Sequence, residues 1–352
     1  MSYKIYLSVL FLLAALQAPA YGQEKPTRFF SEQGELGMEL NADWKALFAG
    51  SDGVTRYPGK LTLNTSDGTP LVLDVQIRTR GISRRKRRLC RFPPLKIYFD
   101  KEQVAGTSLR GIKSLKLVTH CSTSRRFHSY YIKEFLAYRA YNEITPMSFA
   151  VRSIRATYTD SRGKRAPDTR FAFFIEDVDD MAKRNKLVEI ESGKFRPSML
   201  DAKANSLYSV FQYMIGNLDW SSMSGPDPDG CCHNSKLISA PDGAPPYYPV
   251  PYDFDVSGLV NAHYALPPQK LRVRKITDRL YRGFCSHNHL TEASLDIFRT
   301  KKQAILALFS DDPRLDYKNK RKALEYLNKF FKLIDKPGAS EKVFNRSCRG
   351  KS

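Results

Sequence analysis

The order of patterns along the chain predicts an α+β protein in two lobes, a β-rich half followed by a mainly helical half. Period-two apolar alternation dominates up to about residue 176, and apolar spacings of three and four dominate after about residue 201. Polar residues suited to chemistry, among them Asn217, Asp219, His233, Asn234 and Asp253, gather on loops in the second half. Of the 352 residues 42% are hydrophobic and 26% charged. That is ordinary globular composition and excludes a disordered polymer.

Taken in order, Met1-Ser2-Tyr3-Lys4, an apolar run from Ile5 to Leu16 and Ala18-Pro19-Ala20-Tyr21-Gly22 form the three parts of a secretory signal. Residues 1–22 are expected to be that signal, cut after Gly22. A bilayer span needs ~20 apolar residues, so this run is too short to anchor the mature chain, and no later segment is apolar enough. The mature protein is expected outside the cytoplasm, periplasmic or extracellular, with no membrane span. Residues 23–50 are polar and turn-rich and read as a leader onto the fold. Residues 51–176 form the expected β-rich lobe, 177–340 the helical lobe and 341–352 a tail.

In the first lobe Leu71, Leu73, Val75 and Ile77 alternate with mostly polar residues, the pattern of a half-buried strand. Gly53, Gly59 and Gly68 punctuate turns around it. A basic loop follows from Arg78 to Arg91, then strands at Leu95–Phe99 and Lys113–Val118. Tyr131, Phe135 and Tyr138 predict a helix over about 127–143, and strands are expected near 148–158 and 170–175. Glu176 to Asp180 places acids at the start of a short helix, where the helix dipole favours them. Helical patterns cover about 201–215, 291–309 and 318–334, and two short strands flank the turn Ala240–Pro246.

Lys+Arg number 57 against 36 Asp+Glu, a net charge of +21. Such an excess favours anionic partners, whether nucleotides, acidic proteins or polyanions. The run Arg84-Arg85-Lys86-Arg87-Arg88 lacks the interleaved aromatic residues of single-strand binders, so a specific nucleic-acid partner is not expected. The cysteines are Cys90, Cys121, Cys231, Cys232, Cys285 and Cys348. An even count in an exported chain implies disulfides. Cys90 and Cys121 flank two strands and suit a staple, whereas adjacent Cys231 and Cys232 would each need a distant partner. Zinc is the weaker reading, because no Cys-x-x-Cys pair is present.

Gly-x-Ser-x-Gly, His-Glu-x-x-His and Walker motifs are absent. What the chain does carry, in order, are the parts of phosphoryl transfer: a cation for phosphate, hard oxygen ligands for Mg²⁺ and a carboxylate beside the acceptor hydroxyl. Lys116 lies on a strand before a helix bearing Glu134, with Lys113 and Lys96 as competitors for its role. Arg80-Gly81-Ile82-Ser83 follows a strand and suits a turn over phosphate. Asp219 falls in a loop after a helix, where a carboxylate orients a hydroxyl. Asn234 and Asp253 supply amide and carboxylate oxygens suited to Mg²⁺ or Mn²⁺. Asp253 and Asp255 interrupt the apolar run Tyr248 to Val256, where unpaired charge is costly.

The ordered set resembles the CotH kinase family, first known from spore-coat proteins and widespread among exported bacterial proteins. The resemblance rests on Arg80-Gly81-Ile82-Ser83, Pro94–Asp100, Gly111–Leu117, Tyr131–Tyr141 and Phe174–Asp179. It continues through Gly216-Asn217-Leu218-Asp219, Gly225-Pro226, His233-Asn234 and Val250–Asp255. It implies a divergent bilobal protein-kinase-like fold and ATP-dependent transfer to a protein hydroxyl, Ser or Thr. By motif position Asp219 is the catalytic aspartate. Asn234 and Asp253 are the Mg²⁺ ligands, with Asp255 as a second carboxylate. Glu176, Asp177 and the acids to Asp179 fall at the interlobe hinge near the base. Lys116 with Glu134 is the ion pair on the phosphate side. Two further readings stay open: a catalytically silent relative that binds an envelope or surface partner, and a basic polyanion-binding protein.

Overall fold

Alternation in the first half of the chain buries one face of each strand, and the strands close on themselves. In the computed structural model, which describes residues 24–32, 34–65, 68–225 and 230–350, the chain enters through a short helix α1 (Arg28–Ser31). Then follow β1 (Leu36–Ala42), α2 (Trp44–Ala49), β2 (Tyr57–Asn64), β3 (Pro70–Thr79), β4 (Leu95–Phe99), α3 (Lys101–Val104) and β5 (Ser114–Val118). A long helix α4 (His128–Ile144) precedes β6 (Val151–Asp160) and β7 (Asp168–Ile175). The seven strands form a closed barrel in the order β1-β2-β3-β4-β5-β7-β6. Neighbours are antiparallel except at the closure, where β6 and β1 run parallel with Leu36 opposite Ile154 and Ala42 opposite Asp160. The residues expected to form the signal, 1–22, and Pro226 of the Gly225-Pro226 pair lie outside the described residues.

This closure corrects the expected bilobal kinase-like architecture, whose β-rich lobe would be an open sheet. Leu40, Leu61, Val75, Ile97, Leu117 and Ile154 meet inside the barrel with no edge left to cover. Alternation specifies which face of a strand is buried; it does not say whether the sheet closes. The segment read as a leader, 23–50, supplies both the closing strand β1 and helix α2, whose Trp44 and Leu47 are buried. Gly59 lies inside β2 and not at a turn: a Cβ there would stand 2.5 Å from Ile77 Cδ1. A side chain there would have to displace the Ile77 methyl and crowd the Asn41 carbonyl, 3.0 Å away.

β7 is buried on both faces. Ala172 and Phe174 point into the barrel, and Phe171 and Phe173 pack outward on Phe135 of α4. Helix α4 therefore sits between the barrel and the rest of the chain, and most of its circumference is buried. Beyond β7 come α5 (Val178–Arg184), β8 (Val188–Ile190), α6 (Ala202–Ile215), β9 (Ser235–Ser239), β10 (Tyr248–Pro251), α7 (Thr291–Ser310) and α8 (Tyr317–Ile334). Strands β10-β9-β8 form a small antiparallel sheet. The Asp201 carboxylate caps α6 by accepting from the Ala204 N–H at 2.7 Å, and the helix stops at left-handed Gly216, φ +62°. Phe298, Phe330 and Phe331 of α7 and α8 complete the helical core.

Three disulfides pair Cys90 with Cys121, Cys231 with Cys232 and Cys285 with Cys348. The adjacent cysteines bond each other and use no distant partner, which corrects that expectation. Cys285–Cys348 ties the C-terminal segment to the turn before α7, beside a parallel bridge between Phe284 and Arg349. No helix among the described residues is long and apolar enough to cross a membrane.

Next to the barrel core, His120 is 2% exposed and packs against the rings of Phe92 and Tyr158. Burial pushes its pKa down to about 4, with Asp168 opposing. The unfolded histidine therefore takes up a proton near pH 6.5 while the folded one does not, so stability is intact above that pH and falls as pH drops toward 4. Urea unfolding should show a loss of roughly 1.5 kcal/mol from this group between pH 6.5 and pH 5. A His120→Phe variant should lack that component.

Candidate active site

The loop after α6 is fixed before it presents any chemistry. Asn217 Oδ1 accepts from the Asp219 N–H at 3.1 Å, and Asn217 O accepts from Trp220 Nε1 at 3.0 Å. Arg282 Nη1 donates to the Leu218 and Trp220 carbonyls at 2.7 and 3.0 Å. Asp219, half-exposed at the tip, has its Oδ1 2.7 Å from His233 Nε2. Asn234 Nδ2 donates to Asp219 O at 2.7 Å and to Oδ2 at 3.0 Å. The hydrogen bond to Asp219 raises the His233 pKa above the ordinary histidine value, against the effect of burial. Asn234 and Asp253 both adopt left-handed backbone, φ +46° and +56°. Asn and Asp tolerate that region better than other residues with side chains.

Beneath this layer three carboxylates share one guanidinium. Arg84, in the loop after β3, has Nη2 2.8 Å from Asp253 Oδ1, Nε 3.5 Å from Asp255 Oδ2 and Nη1 3.7 Å from Glu134 Oε2. Burial opposes the Arg84 charge, but Asp255, Asp253 and Glu134 hold its pKa well above the usual value. Glu134 on α4 is 1% exposed, and neither of its oxygens has a hydrogen-bond partner. Burial raises its pKa well above the ordinary carboxylate range; Arg84 opposes this, and Asp255 and Asp253 add to it. Asp255 is pushed up to about 7 by burial, again with Arg84 opposing and Asp253 adding. Tyr264 Oη donates to Asp255 Oδ2 at 3.0 Å, and the Asp253 N–H donates to Tyr138 Oη at 2.9 Å.

Above lies a cavity of about 610 Å³, within the range of small-molecule sites. Of the residues singled out in the sequence, Arg80, Ser83, Asp219, Asn234, Asp253 and Asp255 line it together. Arg80 Nη2 hydrogen-bonds Tyr252 Oη across the cavity. The rest are placed differently. Lys116 Nζ lies 3.6 Å from Asp177 Oδ2 and 5.7 Å from the Tyr252 ring. The expected Lys116–Glu134 pair is therefore replaced: Arg84 takes Glu134, and Lys116 takes the residue that caps α5. Lys96 lies near enough to Asp177 to help lower its pKa, after burial, which raises it, and Lys116, which lowers it more. Lys113 is exposed just before β5.

Glu176 does not face the cavity. Its carboxylate is 1% exposed, accepts from Arg184 Nε at 3.0 Å and from the Ala150 N–H at 2.9 Å, and so serves the junction of β7 with α5. Sequence reasoning missed Arg84, the role of His233, and Tyr252 and Tyr264. Arg84 is the first of five consecutive basic residues and carries no local mark of burial. His233 is adjacent to Asn234, and that adjacency was the available signal.

Among the described residues no three His, Cys, Asp or Glu side chains form a ready-made metal cage. The floor nevertheless suits a cation. Two buried carboxylates, Glu134 and Asp255, and the partly exposed Asp253 face one guanidinium, and the Glu134 oxygens lack hydrogen-bond partners. Mg²⁺ is ordinarily held by one or two carboxylates plus water and phosphate oxygens. Asp253 and Asp255 meet that requirement, and Asn234, with its NH₂ directed to Asp219, retains an oxygen for it.

Removing one partner from a buried charge set costs about 3–5 kcal/mol. Arg84→Met should destabilise by about that amount at pH 8 and by clearly less at pH 5, where Glu134 and Asp255 are protonated at little cost. Urea midpoints at the two pH values test this, with exposed Lys86→Met expected to stay within ±0.5 kcal/mol. A variant equally destabilised at both pH values would contradict the charge assignment.

Comparison with protein-family models and with curated proteins finds no match to this chain.

Proposed function

We propose that the chain is an exported ATP-dependent phosphotransferase that uses Mg²⁺ or Mn²⁺ and transfers the γ-phosphoryl group to a hydroxyl of a protein. The observation that carries this reading is the stacking of two layers in one cavity: Asp219 with His233 and Asn234 at the mouth, and Asp253 and Asp255 on the floor, with Glu134 buried behind Arg84. The order of sequence motifs shared with CotH kinases points the same way; the reading rests on side chains and not on fold. Export rests on the signal pattern at residues 1–22, and the three disulfides are compatible with it.

In this reading Asp219 accepts the proton of the acceptor hydroxyl as its oxygen bonds to phosphorus and the bond from phosphorus to the ADP oxygen breaks. His233 and Asn234 hold that carboxylate aimed. Asp253, Asp255 and the Asn234 oxygen hold the divalent ion, which when bound offsets phosphate charge. Arg84 and Arg80 are the guanidinium groups in reach of phosphate, with Lys236 on the cavity wall. The exposed residues Lys86, Arg87 and Arg88 continue the loop whose Arg84 and Leu89 line the cavity, and they favour an acidic segment around the acceptor.

A catalytically silent binder is the second reading, and Arg84 favours it, because its guanidinium already lies among the carboxylates a cation would use. Labelled ATP with Mg²⁺ or Mn²⁺ separates the two, with self-phosphorylation as the first readout. Asp219→Asn should keep the fold and nucleotide binding while incorporation falls by ~10²–10⁴-fold. Incorporation that survives removes Asp219 from the role. A nucleotide at ~100 times its dissociation constant should add ~2.7 kcal/mol in a thermal-shift assay. No shift and no incorporation in the parent protein sink the phosphotransferase reading and favour the silent binder of an envelope or surface partner.

A further inference from the structure

A second concave site lies away from the cavity just described and shares no lining residue with it. Its volume is about 260 Å³, and it forms where the start of α4 meets β6, β7 and the turn between α7 and α8. Arg125, Arg155, Arg170 and Arg314 line it with His128, Thr169 and Glu35. Four guanidinium groups from four separate segments converge on this one space.

Their states differ in an informative way. Arg314 is clamped: its Nε lies 2.9 Å from Asp312 Oδ1, and its plane lies over the rings of Phe135 and Phe171 at 5.0 and 4.8 Å. Its Nη1 is 3.6 Å from Glu35, a long contact. Arg170 gives its Nε to Asp168 at 2.7 Å, which leaves both terminal nitrogens for another acceptor. Arg125 and Arg155 are exposed and form no ion pair with any described residue. The carboxylates Asp312 and Asp168 thus orient two of the arginines, and Glu35 is the one acid that lines the site. His128 Nε2 is buried with no hydrogen-bond partner. Helix α4, 17 residues long, has neither a side-chain cap nor an acid in its first turn, so its positive end is unanswered.

We propose that this pocket binds a compact tetrahedral oxyanion, a phosphate or sulfate group. Arginine forks match such oxygens two at a time. Burial, then Arg170, Arg125 and Arg314, lower the His128 pKa. An anion offsets those three cations, so occupancy draws a proton onto His128, and His120 behind it is kept neutral by burial. This inference does not depend on the phosphotransferase reading.

Calorimetric titration of the full-length protein with inorganic phosphate and with sulfate, followed in parallel by the His128 ring resonances, tests it. Saturable one-to-one binding that moves His128 is expected, weakened about tenfold for each arginine removed in Arg125→Gln and Arg155→Gln. These side chains are exposed, so the fold is retained. Sulfate, whose charge is constant near neutrality, should bind more tightly as pH falls. An Arg80→Gln control reports the other cavity and should leave this binding unchanged. A phosphoserine peptide that binds more tightly than inorganic phosphate assigns the group to a partner's side chain, and equal affinity assigns it to the free ion; both support the site. The proposal is overturned if neither probe saturates, if acetate binds as well as sulfate, or if binding follows Arg80→Gln and leaves His128 still.

Discussion

The structure around the cavity depends on one buried guanidinium. Arg84 joins three parts of the chain that are distant in sequence: its own loop after β3, Glu134 on α4, and the pair Asp253 and Asp255 after β10. In water such contacts are weak, but here Glu134 and Asp255 are nearly inaccessible, and solvent screens them little. Replacing such a cluster by apolar groups need not cost stability, whereas removing one member leaves stranded charge. The arrangement is therefore better understood as a constraint on geometry than as a source of stability. It fixes where the barrel loop meets the segment that carries the two aspartates.

The barrel makes that constraint possible by holding the Arg84 loop from several sides. Arg85 directs its guanidinium to the carbonyls of Gly81 and Asp52. The Cys90–Cys121 bond and the contacts of the Arg91 and Phe92 N–H groups with Cys121 O fasten its far end. On the other side α4 is wedged between β7 and the helical core, so Glu134 has no freedom to follow a moving partner. Closing the sheet through β1 and β6 matters to the site for this reason. A sheet with a free edge would leave the β3–β4 connection mounted on a surface able to twist.

Much of the local structure was legible in the sequence, and the closure was not. Leu73, Val75 and Ile77 announce β3, and the spacing of Tyr131, Phe135 and Tyr138 announces α4, because burial of one face writes its period into the chain. Leu36–Ala42 also alternates, but the partner that closes the barrel on it is Ile154–Asp160, more than a hundred residues away and parallel. Nothing local encodes such a pairing. In the site, Asp253 and Asp255 stood out because charge interrupts an apolar run, and Asp219 because it follows a helix stop at Gly216. Arg84 was hidden among Arg85, Lys86, Arg87 and Arg88, since its distinction is burial against residues some fifty and 170 positions later. Lys116 and Glu134 have the right types on the right elements. Which cation reached the glutamate was decided by tertiary distance, which spacing along the chain does not record.

The charge layout also bears on which anion the cavity would accept on the proposed reading. The chain carries +21 overall, so its long-range field draws in polyanions of every kind. The cavity floor has the opposite character, with Asp253 and Asp255 against Arg84, and Glu134 below them drawing on the same guanidinium. A bare triphosphate drawn in by the outer field would meet carboxylates among which one guanidinium is already shared. A triphosphate that arrives with a divalent cation brings the charge the floor lacks. The outer surface then governs encounter, and the buried carboxylates govern selection. On the proposed reading, discrimination between Mg-ATP and other polyanions falls to the same few side chains that lock the barrel to the helical half.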